Sequence, residues 1–197
     1  MLDEDAIADI EGDAALLLRL ANVDDDQPPS VVTLCRRLTG HAPFLSRLGP
    51  EAQLARVGDD FRVCVRAGLL PTRSRWLVGH ELAEFHYRRT GYRGEDIEAR
   101  CDALGAALVA PRRLVRCAIR EHAHRVHDLA EALEITQSCA LLRVGEVDRR
   151  PVLLLRPPTP IARGAAFPWP AAGQRQERRD FHPVRLVDEL RWGLMAA

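Results

Sequence analysis

Apolar residues recur at helical spacing over residues 4–22, where Ile7, Ile10, Ala14, Leu17 and Leu18 share one side of the chain. That period predicts a helix. The segment NVDDDQPPS then reads as a loop, and Ser30 is placed to cap a second helix, VVTLCRRLTG, that ends at Gly40. Residues 41–60 hold Pro and Gly without a sustained period, and a short helix is expected near 50–56. FRVCVRAG (61–68) alternates Phe61, Val63 and Val65 with Arg62, Cys64 and Arg66, the pattern of a half-buried strand. After the loop LLPTRS, a helix is predicted from Arg73 to Arg89, closed by RTGYRG with its two glycines. The next helix opens on the acidic Glu95 and Asp96, which suit a helix N-terminus, and runs to Ala110. Pro111 stops it or starts a further helix over about 112–125. Residues 128–145 read as two short helices broken at Ile135-Thr136, and PVLLLRP (151–157) as a buried strand. The stretch from Pro157 to Pro170 reads as irregular, QRQERRD as a polar surface segment, and 181–197 as strand or helix. These elements predict an α+β fold, mainly helical, with a small β-sheet.

Composition narrows the class. The chain has 197 residues, 47% hydrophobic and 28% charged, enough to bury a core without disulfides or metal staples. Lys+Arg and Asp+Glu both number 28, so no global field steers it to nucleic acid or to an anionic membrane. All the basic residues are arginine, which reads as codon bias and not as function. Five cysteines at 35, 64, 101, 117 and 139 form no CxxC pair, which predicts reduced thiols and a cytoplasmic protein. The acidic start MLDEDAIADIEGD is unlike a signal peptide, and no apolar run approaches the ~20 residues of a membrane span.

The chemistry concentrates in RSRWLVGHELAEFHYRRTGYRGEDIEARCDALGAALVAP (73–111). His80 and Glu84 stand at i and i+4, about 40° apart on one helical face. Glu98 and Asp102 repeat that spacing on the next helix, on a stripe shared with Gly105. Ionisable groups on largely apolar faces need partners, water or a metal. Gly105 and the neighbouring alanines thin the second helix, so two antiparallel helices can approach closely and converge their polar pairs. Zinc peptidases use this logic: HExxH supplies two ligands and a general base, and a second helix supplies a third ligand.

The strand FRVCVRAG, then RWLVGHELAEFHY, then IEARCDALGAALVAP resembles the ImmA/IrrE family of gluzincin-like metallo-endopeptidases over about residues 30–145. HDLAEALEITQSCALLRVGEV stands where that family carries a helix-turn-helix-like segment. The resemblance implies a zincin-like domain over 1–127, then a helix-turn-helix-like segment and C-terminal extension over 128–197. It implies His80, Glu84 and Glu98 as metal ligands, Glu81 as catalytic general base, and Asp102 as the hydrogen-bond partner of the His80 ring. It also implies Zn2+ as cofactor and a protein substrate, typically a DNA-binding repressor whose cleavage switches genes on, as in a stress response.

Position 84 departs from the family, with Glu84 where the second His belongs. A carboxylate still binds divalent metals, but an added anionic ligand weakens the Lewis acid, and an oxygen-rich site also accepts Mn2+ or Fe2+. Without metal, Glu81, Glu84 and Glu98 crowd one another and one is expected to stay protonated. Three readings follow: a metal-dependent endopeptidase, an inactive relative acting as a regulatory protein-binding module, and a DNA-binding regulator acting through 128–145. The third is disfavoured, since Asp128, Glu131, Glu134 and Glu146 outnumber Arg143 there and direct nucleic-acid binding needs a basic face. The plain alternative for His80 and Glu84 is an ion pair within one helix. His86 reads as a surface or packing residue, and His122, His124 and His127 as a solvated helix end. One of these three, or His182, is the candidate for stabilising an oxyanion if the fold brings it near the metal. Arg73 and Arg75 read as substrate-binding or surface charge, and Cys101 and Cys117 as small core residues.

Overall fold

The structure, a computed structural model, describes residues 2–122 and 125–148. Helix α1 (Glu4–Leu20) is capped by Asp3, whose carboxylate accepts the Ala6 N–H at 2.8 Å, and it buries Ala6, Ile10, Ala14, Leu17 and Leu18. Helix α2 (Val31–Thr39) is capped by Ser30 and ends at Gly40 in the left-handed region (φ 81°). Three strands follow: β1 (Phe44–Ser46), β2 (Ala52–Val57) and β3 (Asp60–Arg66). The sheet order is β1-β3-β2, with β1 parallel and β2 antiparallel to β3. Val63 and Val65 turn inward as the alternation predicts, each 1% exposed.

The helix expected near 50–56 is strand β2 instead. Its first five residues, AQLAR, individually favour helices, but pairing with β3 sets Leu54 opposite Val63 on the buried face. A ladder to a distant strand here overrides local propensity.

Helix α3 (Pro71–Thr90) starts two residues earlier than the sequence suggests, because Pro71 fits a first turn that needs no backbone donor. It ends at Gly91, with φ 76°. Helix α4 (Ile97–Val109) begins after Asp96, whose carboxylate does not cap it but takes the Tyr92 hydroxyl and the Arg100 Nε–H. Helices α5 (Arg112–His122), α6 (Val126–Ala132) and α7 (Gln137–Asp148) complete the described chain. The turn between α6 and α7 spans the predicted break and puts Glu134 at φ 53°. Residue 127, where the sequence reading divides the chain, lies within α6. The expectations for 151–197 lie outside the described residues, as does His124. The fold is mixed α and β, mostly helical, and among the described residues no helix is long and apolar enough to cross a membrane.

Two apolar clusters meet along α4. Cys101, Ala103, Leu104, Ala107 and Leu108 face α1, α2, α3 and the sheet, whereas Ala106, Val109 and Ala110 face α5, α6 and α7. Arg143 of α7, 1% exposed, ties the halves together. It donates to Glu11 of α1 at 2.6 Å, to Glu146 at 2.7 Å and to the Ala110 carbonyl at the end of α4 at 3.1 Å. A buried guanidinium needs acceptors, because each unmet donor carries a desolvation cost; Nε and Nη1 are met here, while Nη2 has no partner among the described residues.

Helices α3 and α4 cross backbone to backbone. A Cβ on Gly79 would stand 2.6 Å from the Gly105 carbonyl oxygen, and a Cβ on Gly105 would stand 2.6 Å from the His80 backbone nitrogen. Neither glycine has a positive φ, so close approach, and not turn geometry, requires them. Gly105→Ala is expected to destabilise the protein by about 2 kcal/mol through overpacking. Gly12→Ala, in α1 with nothing within 4 Å of its new methyl, should be neutral or stabilising. Thermal unfolding of both variants checks the contrast.

Candidate metal centre

The glycine crossing sets the site. Arg75 of α3 reaches the Val109 carbonyl while His80 reaches Asp102 and Glu98, so the two helices run antiparallel. The His80 Nδ1 lies 2.9 Å from Asp102 Oδ1, and since a carboxylate only accepts, Nδ1 carries the proton. The other ring nitrogen, Nε2, which holds a lone pair in the neutral ring, faces Glu98 Oε2 at 3.8 Å. The Trp76 ring, one turn back on α3, packs against the imidazole at 5.6 Å between centroids. Burial works against the imidazolium, but the Asp102, Glu81 and Glu98 carboxylates outweigh it and raise the His80 pKa.

Glu81 sits on the inner side of α3 at 6% exposure. Its carboxyl is pushed up to about 7, first by burial and then by the nearby Glu84, against the pull of His80 and of the Leu54 backbone in β2. Its Oε2 is buried without a hydrogen-bond partner among the described residues. The charge crowding expected between Glu81 and Glu84 is therefore present, while Glu98, with its side chain 85% exposed, contributes no resolved part of the Glu81 shift. Cys101, one turn from Glu98, lies in the same acidic surroundings; burial and then these carboxylates push its thiol up to about 12, so it stays protonated.

Glu84 is held differently. Its Oε1 accepts from Arg88 Nε at 2.8 Å and also from Arg88 Nη2. The structure thus brings His80, Glu98 and Asp102 together and directs Glu84 to Arg88. Among the described residues, no three His, Cys, Asp or Glu side chains are gathered closely enough to hold a metal ion as they stand. The donor chemistry still suits a divalent cation. Two ligands on one tetrahedral ion at ~2.1 Å stand about 3.4 Å apart, close to the 3.8 Å between His80 Nε2 and Glu98 Oε2. A carboxylate behind the imidazole is the usual support for a ligating histidine. Glu84 would complete the set only by turning away from Arg88.

The remaining candidates fall outside the centre. Arg73 pairs with Glu51 at 2.8 Å and stacks on Trp76. Arg75 is spent on the Pro29 and Val109 carbonyls and on Glu134 at 3.4 Å. His86 is 3.4 Å from Asp13, His122 is 4.0 Å from Glu121, and His127 contacts Gln137. Cys117 is half-buried where a core position is expected. Arg88 is the site residue that the motif reading passes over, although its i+4 spacing from Glu84 is the usual one for a helical ion pair. A scan against protein-family models finds no match, and a search of curated proteins finds none either.

Glu81 gives a pH test on metal-free protein. Its folded-state pKa lies above the ordinary value of 4.5, so between 4.5 and about 7 the folded state holds more proton than the unfolded state. Stability is then lost as pH rises through that window. Glu81→Gln should remove this loss, leaving the variant more stable than wild type at pH 8 and nearly equal at pH 4.5. Urea unfolding across that range measures it.

Proposed function

We propose that the chain is a metal-dependent endopeptidase of the ImmA/IrrE kind, with a zincin-like centre on α3 and α4. The observation that carries this reading is His80, gripped at Nδ1 by Asp102 and turned through Nε2 toward Glu98. His80, Glu84 and Glu98 would hold the ion, Zn2+ in the first instance, with Mn2+ or Fe2+ also suited to so oxygen-rich a set. The bound ion would polarise the scissile carbonyl and acidify water.

The protein's own residues do the rest. Asp102 fixes the tautomer and aim of His80. Glu81, nearly neutral in its buried setting without metal, takes the water proton as carboxylate and passes it to the leaving amine. Strand β2 is an edge of the described sheet, and its Leu54 backbone borders Glu81. An extended peptide added to that edge would run past the general base. A protein substrate, such as a DNA-binding repressor, follows from the family resemblance. Helices α6 and α7, separated by the turn at Glu134, form the helix-turn-helix-like segment of this reading. Arg143, its one basic residue over 128–145, is buried among carboxylates, so the segment lacks a groove-binding face. Docking of protein suits it better.

The Glu84–Arg88 pair favours a second reading, a non-catalytic regulatory module that uses the cleft to hold a partner. Metal content separates the two. Purified protein incubated with Zn2+ or Mn2+ and then gel-filtered should retain about one ion per chain if it is the enzyme, and none if it is the module. With a mixed peptide library read by mass spectrometry, Glu81→Gln should abolish cleavage while the ion stays bound. Loss of one proton-transfer group costs at least about a hundredfold. Glu84→His, which restores HExxH, should raise the cleavage rate.

A further inference from the structure

We propose that Arg88 is a positioning residue that holds Glu84 out of the metal centre, a tethered cation on the carboxylate that the ion needs. This rests on reading His80, Glu84 and Glu98 as the ligand set. Several observations converge on Arg88. Its Nε and Nη2 both donate to the same oxygen, Glu84 Oε1, so the guanidinium grips the carboxylate in a fork. The Glu84 carboxylate is therefore already partnered by a cation before any ion arrives.

The arginine is itself placed by a second element. Its guanidinium lies over the Phe61 ring of β3 at 5.9 Å, so the sheet and α3 together fix it beside Glu84. Exposure runs in the sense a gate requires. The Glu84 side chain is 28% exposed, while that of Arg88 is 51% exposed and can withdraw into water. Ion binding would then exchange one cation for another. The ion would take the Glu84 oxygen and the guanidinium would leave to solvent, so the Glu84 carboxylate would face a cation in both states. Without Arg88, the Glu84 carboxylate would face Glu81, Glu98 and Asp102 with His80 as the nearby cation, a site that draws a divalent ion more strongly.

Zn2+ affinity, measured on the full chain by competition with a chromophoric chelator, tests this. Arg88→Met removes the charge and keeps an apolar stem against Phe61. It should bind Zn2+ about tenfold more tightly than wild type, a change of about 1.4 kcal/mol. Arg88→Gln should shift the same way, and Arg88→Lys should stay within about threefold of wild type because it keeps the charge. Glu84→Gln added to Arg88→Met should cancel the gain. Since the pair is largely exposed, the thermal midpoint of metal-free Arg88→Met should move little. If wild type binds Zn2+ and both Arg88→Met and Arg88→Gln bind it equally or more weakly, the holding role is wrong while the metal site stands. If neither wild type nor these variants bind Zn2+, the metal-site reading falls and this inference falls with it.

Discussion

The close crossing of α3 and α4 at Gly79 and Gly105 is the constraint on which the site depends. With the Gly105 Cβ position 2.6 Å from the His80 backbone nitrogen, no side chain can stand between the helices there. That proximity brings a histidine on one helix within 2.9 Å of an aspartate on the other. Hydrogen bonds lose most of their value once stretched much past 3.2 Å. A methyl group at the crossing would therefore loosen both the packing and the polar contact one turn away, and the orientation of His80 would go with it.

Electrostatics makes the second demand. Three carboxylates, Glu81, Glu84 and Asp102, share the seam between α3, α4 and the sheet with His80, while Glu98 stands at its exposed rim, and a low-dielectric seam does not tolerate so many like charges unbalanced. The chain balances them three ways. Asp102 is matched by the imidazole, Glu84 by Arg88, and Glu81 by retaining its proton near neutral pH. Together these pairings hold the seam without a bound ion. This is why Glu84→His and Arg88→Met, though both expected to strengthen the centre, act through different terms. One changes the ligand and the other removes its competitor.

Helical spacing made much of this legible. The pairs His80/Glu84 and Glu98/Asp102, with Gly105 on the second stripe, point to two thin faces meeting, because i and i+4 geometry is local. Strand β2 was not legible, since AQLARV carries helix-forming residues and its register exists only against Val63 and its neighbours in β3. The same limit hid Arg143. An arginine in an amphipathic helix reads as a surface residue, and its burial depends on Glu11, which is 132 positions away in sequence. The fate of Glu84 lay between these cases. The spacing to Arg88 is visible in the chain, but two partners four residues away on either side, His80 and Arg88, compete for one carboxylate, and only the folded packing decides between them.

Helix α4 links the centre to the rest of the chain. One of its faces packs with the first cluster and carries Glu98 and Asp102 toward His80, and its last turn packs into the second cluster through Ala106, Val109 and Ala110. Its C-terminal carbonyls are held by Arg75 from α3 and by Arg143 from α7. Helices α5, α6 and α7 are therefore not a separable appendage. A displacement of α7 would move Arg143, and through it Ala110 and Glu11, before it reached the centre. Packed interiors transmit such displacements because they have few voids to absorb them. The helix that receives them is the one that carries Asp102, whose hydrogen bond at 2.9 Å sets the aim of His80.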